Sequence, residues 1–337
     1  MGVMGMGRIA RWCAALALGF TTIAPAQAAD AEFANAFDAA LGTHVRAPQN
    51  YDAIHASPLE ATIARIADGS AGRIGVYAVD LASGREVSVL GDQRFPMAST
   101  SKIAIAATFM EQVERGRYSL TSELPLMVPV ASKRFSGDKA PVVPGKYYKA
   151  IDLIEMMITR SNNQATDGLL AAVGGPAVVN DWARRNGIAN YNLTRDIATL
   201  VRDDGEIDPA RTVDIRDSAT PAAMVRLLSG LYQGKFLADS SRNVILGAMS
   251  RCKTGTRRIP AMLPDGVRVA HKTGSLNNTS SDIGIINTPD GRAIAVAIYV
   301  TGQGSRPARE AKIANIARAL YDGYATQPAR AYASASY

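Results

Sequence analysis

The sequence predicts an α+β fold, with an antiparallel five-stranded sheet flanked by helices and an all-helical domain beside it. Three observations predict it. Two alternating apolar stretches lie near the start of the globular part, three more lie near its end, and residues from about 120 to 245 are dominated by runs at helical spacing. The two ends of the chain then build one sheet, and the segment between them packs beside it.

The elements follow in order. "LEATIARIA", from Leu59, places apolar residues at helical spacing. "GRIGVYAVDLASGREVSVL" reads as two strands joined by the turn "ASGR". In "FPMASTSKIAIAATFMEQVERG" serine and threonine precede an apolar helix. "AIDLIEMMITR", "NQATDGLLAAV", "GPAVVNDWARRNG" and "TPAAMVRLLSGLYQG" carry the helical period. Strand character returns at "VRVAHKTG", "DIGIINTP" and "AIAVAIYVTG", before a last helix in "AREAKIANIARALYDGY". The expected division is a discontinuous sheet domain over 59–95 and 245–324, a helical domain over 96–244, and a tail over 325–337.

Composition bounds the function. With 337 residues the chain can bury a substantial core, and 47% hydrophobic against 20% charged residues excludes a disordered class. The net charge of +7 is spread without a run of five or six basic residues, so no nucleic-acid partner is expected. Arg8 and Arg11 precede the apolar "WCAALALGFTTIAPA", which is too short to span a bilayer comfortably, and "AQA" ends at Ala28. This pattern predicts a signal peptide over 1–28, export to the periplasm or beyond, and no stable membrane association after cleavage. An Ala-rich leader and linker follow over 29–58. Only Cys252 would then survive, so no intramolecular disulfide can form, and a monomer is expected.

Three short motifs occur in order: Ser99-Thr100-Ser101-Lys102, Ser161-Asn162-Asn163 and Lys272-Thr273-Gly274-Ser275. A serine in the first turn of a helix lies near free backbone N–H groups, and a lysine three residues later shares its face. A lysine that is desolvated or crowded by another cation can lose its proton and act as a base. A second "KTG" at Lys253–Gly255 follows the helical run "NVILGAMSRC", where Gly255 fits a helix C-cap. Lys272 instead ends an alternating run and begins an edge-strand pattern able to present N–H groups to an extended substrate, so Lys272 is assigned to the site. The three histidines are His44, His55 and His271. The first two lie in the leader and the third adjoins Lys272, which disfavours a Ser-His-Asp triad. Clustered His and Cys ligands are lacking too, so neither metal nor cofactor is expected.

With these motifs the chain resembles the class A serine β-lactamases and the penicillin-binding proteins related to them. "LEATIARIADGSAGRIGVYAVDLASGREVSVLGDQRFPMASTSK", "IRDSATPAAM" and "HKTGS" carry the resemblance, which spans about Leu59 to Tyr324. It implies a β-lactam substrate and Ser99 as the nucleophile, with the N–H groups of Ser99 and Ser275 as oxyanion hole. Lys102 would activate Ser99, and Ser161 would relay a proton to the departing lactam nitrogen with help from Lys272. Asn163 would hold Lys102 and the substrate's side-chain amide. Lys272, Thr273 and Ser275 would bind the β-lactam carboxylate, and Arg258 matches the position from which some members add a guanidinium.

The resemblance also implies a glutamate, from an irregular loop ahead of "RD-x-x-T-P", that directs water onto the acyl-ester. That loop is "VRDDGEIDPARTVDIRD", Val201 to Asp217. Counted without gaps, Arg202 and Asp217 form the pair that closes it. Asp204, two residues past the arginine, takes the place of the glutamate, and Asp208 that of an asparagine that helps hold the water. Aspartate is one methylene shorter, and a misplacement near 1 Å can cost about a hundredfold. Glu206 has the right side chain but comes two residues late, while Asp203 and Asp214 are expected to be solvated. Two expectations follow: a β-lactamase using Asp204 or Glu206 for deacylation, or a D,D-peptidase or β-lactam sensor that acylates at Ser99 and deacylates poorly.

Overall fold

Near-continuous apolar runs in the last two strands dictate a sheet with both faces covered, and the computed structural model shows one. It describes residues 55–325. The expected signal peptide, the leader before His55 and the tail after Ala325 lie outside the described residues. Ten strands occur among those described: β1 (Ile74–Asp80), β2 (Glu86–Val89), β3 (Phe95–Pro96), β4 (Glu123–Pro129), β5 (Val142–Lys149), β6 (Tyr191–Asn192), β7 (Ser218–Ala219), β8 (Arg268–Leu276), β9 (Thr279–Asn287) and β10 (Ala293–Thr301). The main sheet runs β2-β1-β10-β9-β8, every pair antiparallel, so β8 is an edge strand as its pattern predicts.

The helices are α1 (Pro58–Ile66), α2 (Lys102–Glu114), α3 (Ala150–Thr159), α4 (Asn163–Val173), α5 (Pro176–Arg185), α6 (Ile197–Arg202), α7 (Pro221–Tyr232), α8 (Asp239–Ser250) and α9 (Arg306–Ala325). Sequence chemistry sets their starts. Ser57, Asn162, Asp196 and Thr220 accept backbone N–H groups as N-caps of α1, α4, α6 and α7. α9 turns Ile313, Ile316, Ala317, Leu320 and Tyr324 onto one face of the sheet, against Ile294, Val296, Ile298 and Val300 of β10. The alternate residues of β10, Ala293, Ala295, Ala297 and Tyr299, enter a second core with α2, α3, α4, α5, α7 and α8. β10 therefore serves both cores.

The segment 96–244 departs from a purely helical domain. β4 and β5 form a hairpin with an irregularity between Pro125 and Met127, and the short β3, β7 and β6 form a small sheet. Pro125, Pro129, Pro144 and Gly145 argue against strands in a sequence reading. A two-stranded ribbon tolerates them because each strand has a free edge.

α2 is the pillar of the larger core. Ten of its thirteen residues are buried, including Lys102 at its first position. Phe109 is fully buried and stacks on Tyr118 with ring centroids 5.3 Å apart. Phe109→Ala should destabilise the fold by about 3–5 kcal/mol, read as a lower urea midpoint at unchanged slope.

Candidate active site

The turn that carries Ser99, the expected nucleophile, is built by local hydrogen bonds. Ala98–Ser101 form one turn of 3-10 helix leading into α2, with Ser99 at its second position. The Thr100 hydroxyl donates to Met97 O at 2.7 Å and shares a 2.9 Å bond with the Tyr299 hydroxyl, while Ser101 donates to Ala98 O. Ala98 itself sits at φ +47°, a strained backbone that aims the next residue. Gly274 lets β8 approach this turn. A Cβ there would come within 2.8 Å of Met97 O and 3.1 Å of Ala98 Cβ. That close approach brings Ser275, the second expected oxyanion donor, beside the segment carrying Ser99.

Lys102 and Lys272, far apart in sequence, meet at Ser161. Lys102 Nζ donates to Ser161 O at 2.8 Å, Ser161 Oγ at 3.2 Å and Asn163 Oδ1 at 2.7 Å. Lys272 Nζ donates to the same Ser161 Oγ at 3.0 Å and to Thr273 O at 2.9 Å. Both lysines are fully buried. Burial, and then the charge of Lys272, hold Lys102 well below its ordinary value, with Asp167 opposing. Burial lowers Lys272 to about 8, with Cys252 and Asp282 opposing. Ser161 is held at φ +56°, which presents its hydroxyl between the two amines. Asn162, where the family pattern has aspartate, caps α4 by accepting Ala165 N at 2.8 Å.

At the end expected to bind the substrate carboxylate, Arg258 is 1% exposed and donates to Ser275 Oγ at 2.7 Å and to the carbonyls of Gly274 and Ser281. Its guanidinium also meets buried Glu310, which binds Arg257 and Arg306 too. Arg258 is therefore no surface arginine. The second "KTG" is not idle either: the Thr254 hydroxyl lies 2.6 Å from the Thr273 hydroxyl. Gly255 follows the end of α8 by five residues and does not cap it. At φ +74° it lets its turn press on Thr273, whose Cγ2 would be 2.3 Å from an added Cβ. The only signal in the sequence is the repeat of the motif itself.

The loop differs from the gapless count. Asp217, 2% exposed, binds Arg195 Nε at 2.6 Å together with the N–H groups of Thr194 and Arg195. Arg202 instead binds its neighbour Asp203 at 2.8 Å and Gly137 O. That pair buries Asp203, contrary to the expected solvation, and lowers its carboxyl. Asp214 is held by Arg216. The loop is thus closed by Arg195 and Asp217, and the residue two past its arginine is Ile197, which is buried. Ile197 N and Ala198 N donate at 2.7 and 2.9 Å to the two oxygens of Asp167, one turn beyond Asn163 on α4. Burial raises Asp167 to about 6 against those two N–H groups and Lys102.

The expected loop acids face other partners. Asp204 accepts Asn277 N at 2.9 and 3.0 Å, and Asp208 accepts Asn278 Nδ2 at 2.8 Å, so both tie the loop to the turn between β8 and β9. Glu206 is bound by Arg216 at 2.9 Å. Asp217→Ala should release the loop and make residues 203–217 susceptible to limited proteolysis under native conditions. Arg202→Ala should leave the protection largely intact. The cleavage pattern by mass spectrometry checks both.

Residues 58–324 match the model of the β-lactamase enzyme family. The chain is 30% identical over 279 residues to β-lactamase CTX-M-25 of Escherichia coli, covering 80% of this chain and 90% of that one. An ancestral class A β-lactamase reconstructed for Gram-negative bacteria superposes with a TM-score of 0.67 at 34% identity, over 79% of this chain and 99% of the other. PBP-A superposes at 0.68 with 27% identity over 81% and 97%, and a point mutant of it has been solved as an acyl-enzyme complex with penicillin G. Sequence, fold and motif geometry agree: the chain belongs to the β-lactamase enzyme family and is a class A β-lactamase-like hydrolase.

Proposed function

We propose that this protein opens β-lactams through an acyl-enzyme on Ser99, and that hydrolysis of the ester is the slower half of its cycle. The observation that carries this reading is the convergence of two buried amines on the Ser161 hydroxyl. Lys102, whose charged form is disfavoured by burial and by Lys272, takes the Ser99 proton as the hydroxyl attacks the lactam carbonyl. Charge on the carbonyl oxygen is met by the N–H groups of Ser99 and Ser275. Ser161 passes a proton to the lactam nitrogen as the C–N bond breaks, and Lys272 keeps that transfer cheap. Asn163 positions Lys102 and the substrate's side-chain amide. Lys272, Thr273 and Ser275, backed by Arg258, hold the substrate carboxylate.

For deacylation, Asp204 is the loop carboxylate tied to the end of β8, whereas Arg216 draws Glu206 away. Asp204 must surrender its bonds from Asn277 to direct a water, and Asp208 can assist only by leaving Asn278. These prior commitments make the step slow. A second reading is favoured by the same commitments and by Ile197 at the position two past the loop-closing arginine. In it the protein is a penicillin-binding D,D-peptidase or a β-lactam sensor, and the adduct persists. Export to the periplasm or outside, as a monomer, is part of either proposal.

Intact-mass analysis with penicillin G should show a one-to-one adduct that decays with turnover, and no adduct in Ser99→Ala. Asp204→Asn should lengthen its life at least tenfold. Unchanged decay removes Asp204 from the step, and an adduct stable for hours in the native protein supports the second reading. The pH profile provides another check. Lys272, at about 8, is an ammonium below that pH and loses its charge above it. Carboxylate binding should therefore fail as pH rises through about 8. Lys102, lowered, keeps its neutral form far into the range where an ordinary lysine is charged. The acylation rate should be sustained at neutrality and fall above about pH 8, and Lys272→Arg should move that limb upward. A rate still rising at pH 10 would contradict these roles.

A further inference from the structure

We propose that Asp203–Arg211 form a strap that caps the open end of β8, and that the strap limits the size of the substrate group admitted beyond Ser275. The loop closed by Arg195 and Asp217 is seven residues longer than a count from Arg202 allows. The added length crosses between the tip of the β4–β5 hairpin and the turn between β8 and β9. On the hairpin side, Arg134 Nε donates to Arg202 O at 3.3 Å, and Arg202 Nη2 donates to Gly137 O at 2.7 Å. On the sheet side, Asn277 N donates to both oxygens of Asp204, and Asn278 Nδ2 donates to Asp208. The far end of the strap is held by Arg73, which donates to Pro209 O at 3.3 Å.

Gly205 marks the crossing. It sits at φ +88°, and a Cβ there would lie 3.3 Å from Arg134 Nη2 and 3.4 Å from Asn277 Nδ2. The same point touches the side chains of both rims, so the opening between them is no wider than those two distances together. Beneath the strap is a hollow of about 50 Å³, lined among others by Leu200, Ile207, Pro209, Leu276 and Thr279. The Thr279 hydroxyl is buried without a hydrogen-bond partner. A hollow of that size has room for one or two waters. The strap is therefore fastened at polar points over a gap, and it can lift without opening a packed core.

The strap acts on recognition through the strand edge. An extended substrate pairs with the outward N–H and C=O groups of an edge strand, and β8 is one. Ser275 and Asn277 are two residues apart, so their N–H groups turn to the same edge. The Asn277 N–H is already taken by Asp204. Pairing therefore stops at Ser275, and a substituent that continues along the edge meets Asp204 and Gly205. A narrow, flexible group can bend away from them. A wide, rigid one requires the bonds of Asp204 and Arg134 to break first, so the discrimination comes from obstruction rather than from added contacts. This inference deepens the reading of Ser99 as nucleophile and rests on it.

Penicillin G and nafcillin share a lactam nucleus and differ in the acyl group, a flexible benzyl against a naphthyl ring fixed directly to the amide. Acylation of the purified protein by each, followed by time-resolved intact mass, should be about tenfold or more faster with penicillin G. Arg134→Ala combined with Asn278→Gly removes a tie on each side and leaves the residues of the proposed mechanism in place. Glycine suits position 278, which sits at φ +51°. The double variant should acylate with nafcillin about fivefold faster than the native protein, and with penicillin G within about twofold of it. It should also be cut faster by protease within 203–211. Equal native rates for the two penicillins, an unchanged nafcillin rate in the variant, or unchanged protection of 203–211 overturns the strap. Absence of any penicillin G adduct on the native protein would instead overturn the Ser99 reading, and this inference with it.

Discussion

Two buried amines that converge on one hydroxyl penalise each other's charge, and the proposed catalytic centre is organised by that constraint. Burial penalises each charge, and the neighbouring cation penalises Lys102 further. The environments then separate the two. Lys102 has neutral acceptors in Ser161 and Asn163, with Asp167 behind them, while Lys272 has the anionic support of Cys252 and Asp282. In the proposed mechanism these surroundings divide two amines of the same chemical type, on either side of Ser161, into a base and an acid.

The scaffold holds that arrangement at some cost. Ala98 and Ser161 both take left-handed backbone conformations, each worth about 1–3 kcal/mol of strain, and the core around α2 over-determines them. α4 couples the centre to the loop. Asn163 at its start orients Lys102, and Asp167 one turn later accepts both leading N–H groups of α6. A carboxylate is suited to this, since each oxygen takes one donor, whereas an amide would turn an N–H group towards one of them. The loop entry is thus fixed from the same helical face that orients Lys102.

Much of this is legible in the sequence, and the limits have physical causes. Near-continuous apolar runs in "AIAVAIYVTG" and "DIGIINTP" mark the central strands because both faces of them are buried. The three motifs mark Ser99, Lys102, Ser161 and Lys272 because their spacing places groups on known elements. The β4–β5 hairpin is hidden by prolines that free strand edges accommodate. The Arg195–Asp217 pair is hidden because a gapless count assumes a loop length, and here the loop begins seven residues earlier. The hint is Asp196, a good N-cap ahead of "IATLV". Asp167 looks like a charge on the polar side of "NQATDGLLAAV", and its burial depends on α6, which arrives from thirty residues away. Thr254 escapes a sequence reading because two copies of one motif look like competitors, when they pack on each other.

The division of the two lysines is the central claim, and direct titration tests it. Isotope-labelled lysine side chains in the free protein can be followed by NMR across pH. Lys102 should titrate far below its ordinary value of 10.5, with Lys272 near 8, and replacing Lys272 by a neutral residue should move Lys102 upward. If Lys102 titrates near 10.5, or does not respond to the loss of Lys272, the site is not poised as described.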